Sequence, residues 1–350
     1  MFRQNKYLFP VLILLLSITV ITAIAFGAVQ IVPADMISAI KNFIQGKEPA
    51  NIFEAVFLQI RLPRVLLCLI TGAILAVSGV LMQGLFRNPI VEPGLAGTSS
   101  GAAFGAALVF VLAGNISPAV KSFVGPLLLP IVAFITSLLA TYMVYAFAVK
   151  NRTVSVVSLL LTGVAVNAIC ISGTGFLSYI ARDPQARSIT FWNLGTFSGA
   201  AWWQVGITGL IAALCFIPAF RYSKQLNSLL LGDDEANYIG TDTDKLKRRI
   251  MLLNTAMVAV ATSFVGVIGF VGLIVPHILR LLIGSDNRKL LPASMFAGAI
   301  LLTLADTFAR IIIAPAELPI GIITSIVGAP VFIVLLKKFS LPDQKGGSHG

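Results

Sequence analysis

Residues 62–86 of this 350-residue chain read LPRVLLCLITGAILAVSGVLMQGLF. After Arg64 the run contains no charged residue. A helix of this length rises far enough to cross a bilayer core of about 30 Å. Similar apolar runs of roughly 18 to 25 residues, the length of a membrane-spanning helix, recur along the chain. They are continuous rather than alternating in polarity, so they predict transmembrane helices and not the strands of a transmembrane barrel.

The composition agrees with this interpretation. Hydrophobic residues make up 57% of the chain and charged residues 11%, whereas a soluble domain has about 25% charged residues. The mean hydropathy is +0.94. The sequence therefore predicts an all-α polytopic membrane protein with about ten transmembrane helices. It excludes a soluble enzyme, a disordered chain and a disulfide-rich secreted module.

The net charge of +11 does not indicate a nucleic-acid partner, because the basic residues lie between the apolar runs. Basic loops of this kind orient a protein in the lipid bilayer.

The chain has three cysteines in apolar surroundings, without the spacing of a metal or redox site. We therefore expect them to be buried and expect no metal site.

A single transmembrane domain, residues 1–350, is predicted to contain ten spans. They lie near 7–32, 62–86, 94–113, 124–149, 153–180, 202–220, 250–269, 271–283, 290–313 and 319–336. The eighth is too short to cross the bilayer alone, so we expect protein rather than lipid around it. A helical stretch is expected near 189–200 at the outer surface, and a polar tail at 339–350. The first run is longer than the apolar core of a signal peptide, so we expect a retained helix.

The basic residues predict the orientation. With both termini in the cytoplasm, 17 of the 25 Lys and Arg residues fall on the cytoplasmic side and 8 fall outside. Because positive charge accumulates in cytoplasmic loops, this ratio favours cytoplasmic termini. The longest charged connection, residues 221–249, is then a cytoplasmic loop.

That loop is a candidate docking surface. Asp233, Asp234 and Glu235 cluster where a short helix is expected to begin, since acidic residues are favourable at the positive end of the helix dipole. Gly240 is expected to end that helix. A solvated loop without a partner is the alternative interpretation.

A second candidate region begins the third span. Glycines recur at positions 97, 101 and 105, a spacing that lets a neighbouring helix approach closely. The hydroxyls at positions 98–100 could line a gate, with packing and bonds to their own helix as the alternative. The candidate path residues are Gly97, Thr98, Ser99, Ser100 and Gly101.

Three arginines form a third candidate site. Arg61 and Arg64 flank the start of the second span, and Arg310 lies near the outer end of the ninth, one helical turn after Asp306. Together they predict a positive rim at the outer mouth that attracts acidic groups. Snorkelling of each arginine to the membrane interface is the alternative.

The sequence contains no constellation that suggests catalysis. It lacks the G-x-x-x-x-G-K-[ST] phosphate loop, a catalytic triad and a pair of catalytic carboxylates. No span carries a chain of buried acids for coupling to an ion gradient, and Asp306 comes closest. We therefore expect no enzyme and no bound cofactor. If the chain pumps a substrate, a separate subunit must supply the energy.

Several short motifs, in this order and at this spacing, carry a family resemblance over about residues 10 to 338. They are RLPR at 61–64, QGLFRNP at 83–89, EPGL at 92–95, FWNLG at 191–195, GFVGLIVPHI at 269–278, ELPIG at 317–321 and GAPVF at 328–332. The sequence resembles the FecCD-type ABC permeases, the membrane subunits of bacterial importers for iron-siderophores, haem and cobalamin.

The resemblance implies a type II ABC importer fold like that of the cobalamin permease. It implies a homodimer in the bacterial inner membrane, two ATP-binding subunits on the cytoplasmic side and a substrate-binding protein outside, with ATP used by the partner ATPase. The family's docking pockets for the binding protein correspond to Arg61, Arg64 and Arg310. The family's ATPase-coupling segment corresponds to Leu231, Gly232, Asp233, Asp234, Glu235, Gly240 and Arg248.

The substrate follows less directly. Residues 187–192, RSITFW, look most like the haem-importing branch, so the sequence favours an iron chelate, either haem or a ferric siderophore. Cobalamin is the alternative within the family. An ion-coupled secondary transporter is the alternative outside it.

Overall fold

The computed structural model describes residues 6–27, 31–112, 125–150, 153–314 and 316–339. The predicted polar tail and the loop before the fourth span lie largely outside these residues. The helices are α1 (Leu8–Ala25), α2 (Pro33–Ile44), α3 (Ile52–Val56), α4 (Leu62–Phe86), α5 (Thr98–Leu112), α6 (Leu128–Ala148), α7 (Val156–Ile180), α8 (Gln185–Asn193), α9 (Trp202–Arg221), α10 (Ser223–Leu229), α11 (Asp233–Tyr238), α12 (Thr243–Val265), α13 (Val271–Ile283), α14 (Asn287–Ile311) and α15 (Ile320–Phe339). A π-helical turn at Phe57–Arg61 joins α3 to α4, and 3-10 turns precede α5 and α6 at Pro93–Ala96 and Gly125–Leu127.

The all-α polytopic fold is confirmed. Within the described residues, seven helical segments are long and apolar enough to cross a membrane. Shorter apolar helices are α5, α13 and the part of α15 from Ile320 to Val334. Each of these ten overlaps one of the ten predicted spans. The only strands among the described residues are Val149–Lys150 and Thr153–Val154, which pair as an antiparallel hairpin between α6 and α7.

Some predicted boundaries were wrong. The first helix ends at Ala25 instead of residue 32, and the following segment contains α2, an unpredicted helix with Pro33 in its first turn. The expected helical stretch at 189–200 is α8, which ends at Asn193 because Gly195 turns the chain with a φ of +70°. The charged connection at 221–249, where short helices were expected, contains α10 and α11. The next long helix, α12, begins at Thr243 instead of residue 250.

The helix α4 lies at the centre of the bundle and is buried along almost its whole length. Two glycines allow neighbouring backbones to touch it. A Cβ atom on Gly72 would lie 2.3 Å from the Gly298 carbonyl oxygen of α14, and a Cβ on Gly79 would overlap the Gly272 carbonyl oxygen of α13. Helices in membranes associate through such close contacts because lipid provides little hydrophobic drive between them.

A buried side chain of α4 completes the backbone bonding of α13. Pro276 has no N–H to donate to the Gly272 carbonyl one turn earlier. The Gln83 amide donates to the carbonyls of Gly272 and Leu273 at 3.3 and 3.2 Å, and its oxygen accepts a bond from Arg280 at 3.0 Å. Gln83 therefore donates to a carbonyl that the proline leaves without a partner. In the bilayer core, water is not available to take that role.

The start of the short helix α13 is held by protein, as expected for a helix of 13 residues. At ~1.5 Å per residue it spans only ~20 Å, less than the hydrocarbon core. Phe270, just before the helix, has a left-handed φ of 68°, and its N–H donates to the Glu92 carboxylate at 2.9 Å. The carboxylate thus caps an N-terminus that lipid could not satisfy.

We predict that Gly79→Val disrupts the bundle, because the new side chain overlaps the Gly272 backbone and α4 and α13 must separate. The expected result is a lower yield of monodisperse protein after detergent extraction and a lower melting temperature. Gly206→Ala in α9 is the matched control, because a Cβ there meets no atom within 4 Å. Equal behaviour of the two variants would contradict the assigned role of Gly79.

Candidate functional site

The arginines predicted at the outer mouth come together in the structure. Arg64 forms a bidentate ion pair with Asp306. Its Nη2 lies 2.9 Å from Oδ1 and its Nε lies 3.1 Å from Oδ2. Its Nη1 lies 2.8 Å from the Glu317 carboxylate. Asp306 also contacts Arg310 Nε at 3.1 Å, through the expected one-turn spacing on α14. One buried carboxylate therefore pairs two arginines.

The other arginine donors hold the end of α1. Arg61 Nη1 donates to the carbonyls of Ile24 and Phe26, each at 2.8 Å, and Arg310 Nη2 donates to Ala23 at 3.0 Å. The last carbonyls of a helix have no partner within the helix and carry partial negative charge, so cations are favourable there. Arg61 and Arg310 thus fix the C-terminus of α1 against α4 and α14.

The predicted exposed rim differs from what is found. Arg61, Arg64 and Arg310 are only 5 to 7% exposed, and Arg310 does not snorkel outward. The physical reason is that Asp306, Glu317 and the end of α1 supply acceptors inside the subunit. The three arginines and two carboxylates leave the cluster with one net positive charge. Their role in docking a binding protein stays a prediction.

Glu317 is the accessible member of the cluster, with 39% of its side chain exposed. It belongs to the ELPIG motif at 317–321, but no role was predicted for it from the sequence. Its position just after the Ala-Pro-Ala sequence that follows the ninth predicted span was the available signal.

At the opposite end, the predicted coupling residues fall into two groups. Leu231, Asp234 and Glu235 are exposed, with Leu231 66% accessible. Asp233 turns inward, where its carboxylate lies 2.7 Å from Lys247 Nζ and 3.5 Å from Arg87 Nη2. Acidic residues occupy the first turn of α11, as predicted.

Glycines shape the two ends of this segment. Gly232, immediately before α11, has a φ of +132°, and Gly240, just after it, has a φ of +90°. Gly240 was predicted to end this helix, and the last helical residue, Tyr238, lies two residues before it. Arg248 lies in the second turn of α12 and is exposed.

Lys247 anchors this segment and was missed by sequence analysis, which treated it as one more cytoplasmic charge. It is 3% exposed and donates to Asp233 at 2.7 Å and to the Val154 carbonyl at 3.1 Å. The Val154 N–H donates in turn to Asp244 at 3.0 Å. The start of α11, the strand hairpin and the base of α12 are therefore bonded into one unit.

The segment also exposes apolar side chains that sequence analysis did not single out. Tyr238 is 91% exposed and Ile239 64%. Together with Leu231, Asp234 and Glu235 they form a protruding surface, which we name the 231–239 surface. Large exposed apolar residues outside the apolar spans indicate an interaction site.

A neighbouring polar link joins α10 to the start of α14. Asp286 accepts bonds from Asn227 at 2.7 Å and from the Arg288 guanidinium at 2.8 Å. The Arg288 hydrogen bonds, helped by Asn227, hold the pKa of Asp286 well below its usual range. Asp286 therefore remains ionised throughout the physiological pH range.

The candidate path residues lie at contacts between helices. Cβ atoms on Gly101 and Gly105 would collide with Ala140 and Thr136 of α6, which favours the packing interpretation for both. Thr98 is fully buried. Their neighbours Ser99 and Ser100 are half-buried.

The half-buried serines adjoin α7. Ser100 donates to the Asn167 side-chain oxygen of that helix, and the Asn167 amide donates to the Leu95 carbonyl at 3.2 Å. Gly97 precedes α5 with a φ of +84°. A role of residues 97–101 in a path stays a prediction.

We predict that Arg64→Gln destabilises the protein, because it leaves Asp306 as a buried charge without its main partner. Breaking a buried ion pair costs ~3–5 kcal/mol, so the melting temperature in detergent should fall clearly. Glu317→Gln, on a part-exposed side chain in the same cluster, is the control and should cost much less. An equal fall in both variants, or none in Arg64→Gln, would contradict this assignment.

Comparison with known proteins identifies the family. The model of the FecCD transport family matches residues 15–338. The hemin transport system permease HmuU of Yersinia pestis is 42% identical over 285 residues, 80% of this chain and 83% of that protein. The vitamin B12 import permease BtuC of Klebsiella pneumoniae is 38% identical over 335 residues, 95% of this chain and 94% of that protein. A solved metal-chelate type ABC transporter in an inward-facing conformation matches with a TM-score of 0.80 at 33% identity, covering 95% of this chain and 99% of that one. The chain therefore belongs to the FecCD family of ABC importer permeases.

Proposed function

We propose that this chain is the membrane-spanning permease of an ATP-driven importer for an iron chelate, haem or a ferric siderophore. It works as a homodimer with two separate ATP-binding subunits and an external substrate-binding protein. The similarity to a hemin permease over most of the chain carries this proposal. The RSITFW motif at 187–192 supports the same substrate class. Cobalamin is the second candidate, because the B12 permease of Klebsiella pneumoniae matches 95% of the chain and the hemin permease 80%.

The experiment that tests the substrate is uptake into proteoliposomes that contain the permease, its ATPase and its binding protein. We expect ATP-dependent accumulation of haem or a ferric siderophore, with cobalamin moving much more slowly. Preferential uptake of cobalamin would replace the first candidate by the second. Uptake without the ATPase, driven by an ion gradient, would contradict the importer assignment altogether.

The 231–239 surface is proposed to bind the ATPase. Its exposed apolar residues, Leu231, Tyr238 and Ile239, offer area that a partner can bury, and Asp234 and Glu235 provide charge for orientation. Asp233 and Lys247 connect this surface to α12, and Arg87 connects it to the end of α4. A displacement of the surface by the ATPase would therefore reach two long helices that span the bundle.

Both termini and the 231–239 surface are proposed to face the cytoplasm of a bacterial inner membrane. The 17-to-8 distribution of basic residues supports this orientation. The outer end then holds the arginine cluster, and we propose that acidic groups of the binding protein dock there. Such a group would compete with Glu317 for Arg64, since Glu317 is the part-exposed carboxylate at that guanidinium.

We predict that Tyr238→Ala weakens binding of the ATPase by about tenfold or more, because a buried interface aromatic often contributes ~2 kcal/mol or more. The measurement is sedimentation of purified ATPase with membrane vesicles containing the permease. Tyr179→Ala is the matched control. Tyr179 is 87% exposed and lies near the C-terminus of α7, whereas the N-terminus of α7 follows the strand hairpin bonded to Lys247.

Inside-out vesicles should bind the ATPase and right-side-out vesicles should not. Unchanged binding by Tyr238→Ala would remove the 231–239 surface from the interface. Binding to right-side-out vesicles alone would reverse the proposed orientation.

A further inference from the structure

A groove of about 670 Å³ runs between α6, α9 and α12. Of its lining residues, only Arg248 also belongs to the predicted coupling residues. Its volume falls within the ~300–1,000 Å³ typical of binding sites for small ligands. Its walls are mainly apolar, and polar groups collect where α9 ends and α12 begins. The lining residues used below are Thr141, Tyr222, Arg248, Arg249, Leu252 and Ala256.

Two guanidinium groups stand at that end. Arg248 and Arg249 are exposed, and neither forms an ion pair with a carboxylate in the part of the chain that the structure describes. The Arg249 guanidinium carbon lies 5.8 Å from the centre of the Tyr222 ring, an arrangement that holds the cation at the groove. Both groups keep donors available for an anion, and arginine binds phosphate through paired N–H groups.

One buried polar group within the groove also lacks a partner. Thr141 is 5% exposed, and its hydroxyl has no hydrogen-bond partner among the described residues. Pro218, on the facing wall, removes a backbone N–H from α9. Buried hydroxyls elsewhere in the described residues, such as those of Ser137 and Thr208, are in the same state, so Thr141 does not by itself identify an occupant of the groove.

The helices that flank the groove expose large apolar side chains beside it. On α6, Leu139 is 55% exposed, and on α9, Leu210 and Leu214 are 62% and 63% exposed. Leu252, within the groove on α12, is 62% exposed. In a membrane protein such faces meet hydrocarbon, so the groove opens sideways toward lipid instead of toward water.

We propose that this groove is a specific site for an anionic phospholipid. The phosphate binds Arg248 and Arg249, and an acyl chain lies along the apolar wall past Leu252 and Ala256 toward Thr141. Basic pockets between transmembrane helices bind anionic lipid head groups on the cytoplasmic side of other membrane proteins. Charge complementarity at one end and hydrocarbon complementarity along the rest select this occupant over a water-soluble anion. The site does not depend on which substrate the permease transports.

The test is retention of phosphatidylglycerol by the purified full-length permease, measured by native mass spectrometry after exchange into detergent with equal amounts of phosphatidylglycerol and phosphatidylcholine. We expect selective retention of phosphatidylglycerol. Arg248→Ala with Arg249→Ala should lower its affinity about thirtyfold, since each basic residue near a lipid head group contributes ~1 kcal/mol.

The matched control is Arg182→Ala with Arg187→Ala, which removes two exposed arginines elsewhere on the surface and should leave retention unchanged. A second variant, Ala256→Phe, narrows the groove without altering charge and should also lower retention. A melting curve shows that each variant is folded. Because no ATPase is present, a separate effect of Arg248 on coupling does not enter the result.

Three outcomes would overturn the proposal. Equal retention of both lipids would show that the arginines do not select charge. Full displacement of phosphatidylglycerol by inorganic phosphate at matched concentration would show that the acyl chain is not bound. Disulfide formation between two copies of a Leu252→Cys variant in membranes would show that the groove is covered by a second permease subunit instead of by lipid.

Discussion

The close approach of backbones around α4 is the constraint on which the rest of the structure depends. Gly72 meets Gly298, and Gly79 meets Gly272, so α14 and α13 can pack against α4 without intervening side chains. In lipid, where apolar surface gains little by leaving the solvent, such contacts supply much of the packing energy. They also position Gln83 to bond the carbonyl that Pro276 leaves open.

The same helix connects the two candidate sites. Arg64, near its start, is held by Asp306 and Glu317, while Arg87, just after its last residue, lies beside Asp233. A movement of the 231–239 surface, as proposed above, would therefore act on a helix whose far end carries the arginine cluster. This arrangement suits an importer in which the binding protein and the ATPase work on opposite sides of the membrane. The proposed coupling between the two ends would run through packed helices and ion pairs rather than through a flexible loop.

Sequence alone predicted the features that depend on local pattern. Apolar length gave the helical spans, the spacing of Asp306 and Arg310 gave their contact, and Gly240 marked the end of α11. It did not predict the burial of Arg64, because its partners Asp306 and Glu317 lie 242 and 253 residues further along the chain.

The anchoring of Lys247 was missed for a similar reason, since its acceptors belong to two other elements. The charge of a loop indicates which side of the membrane the loop occupies. It does not indicate whether a given charged side chain is solvated or buried. Tyr238 stood out only once its exposure was known. The groove at Arg248 and Arg249 could not be predicted from the sequence, because it forms between three helices that are distant along the chain.

The most direct test of the account is the number of substrate molecules imported per ATP hydrolysed by the reconstituted importer. It should be compared for the native protein, Asp233→Asn, Lys247→Met and the double variant. If the Asp233–Lys247 ion pair transmits the movement, each single variant hydrolyses ATP but imports much less per ATP, and the double variant is no worse than either single one. Native import per ATP in both single variants would contradict the account.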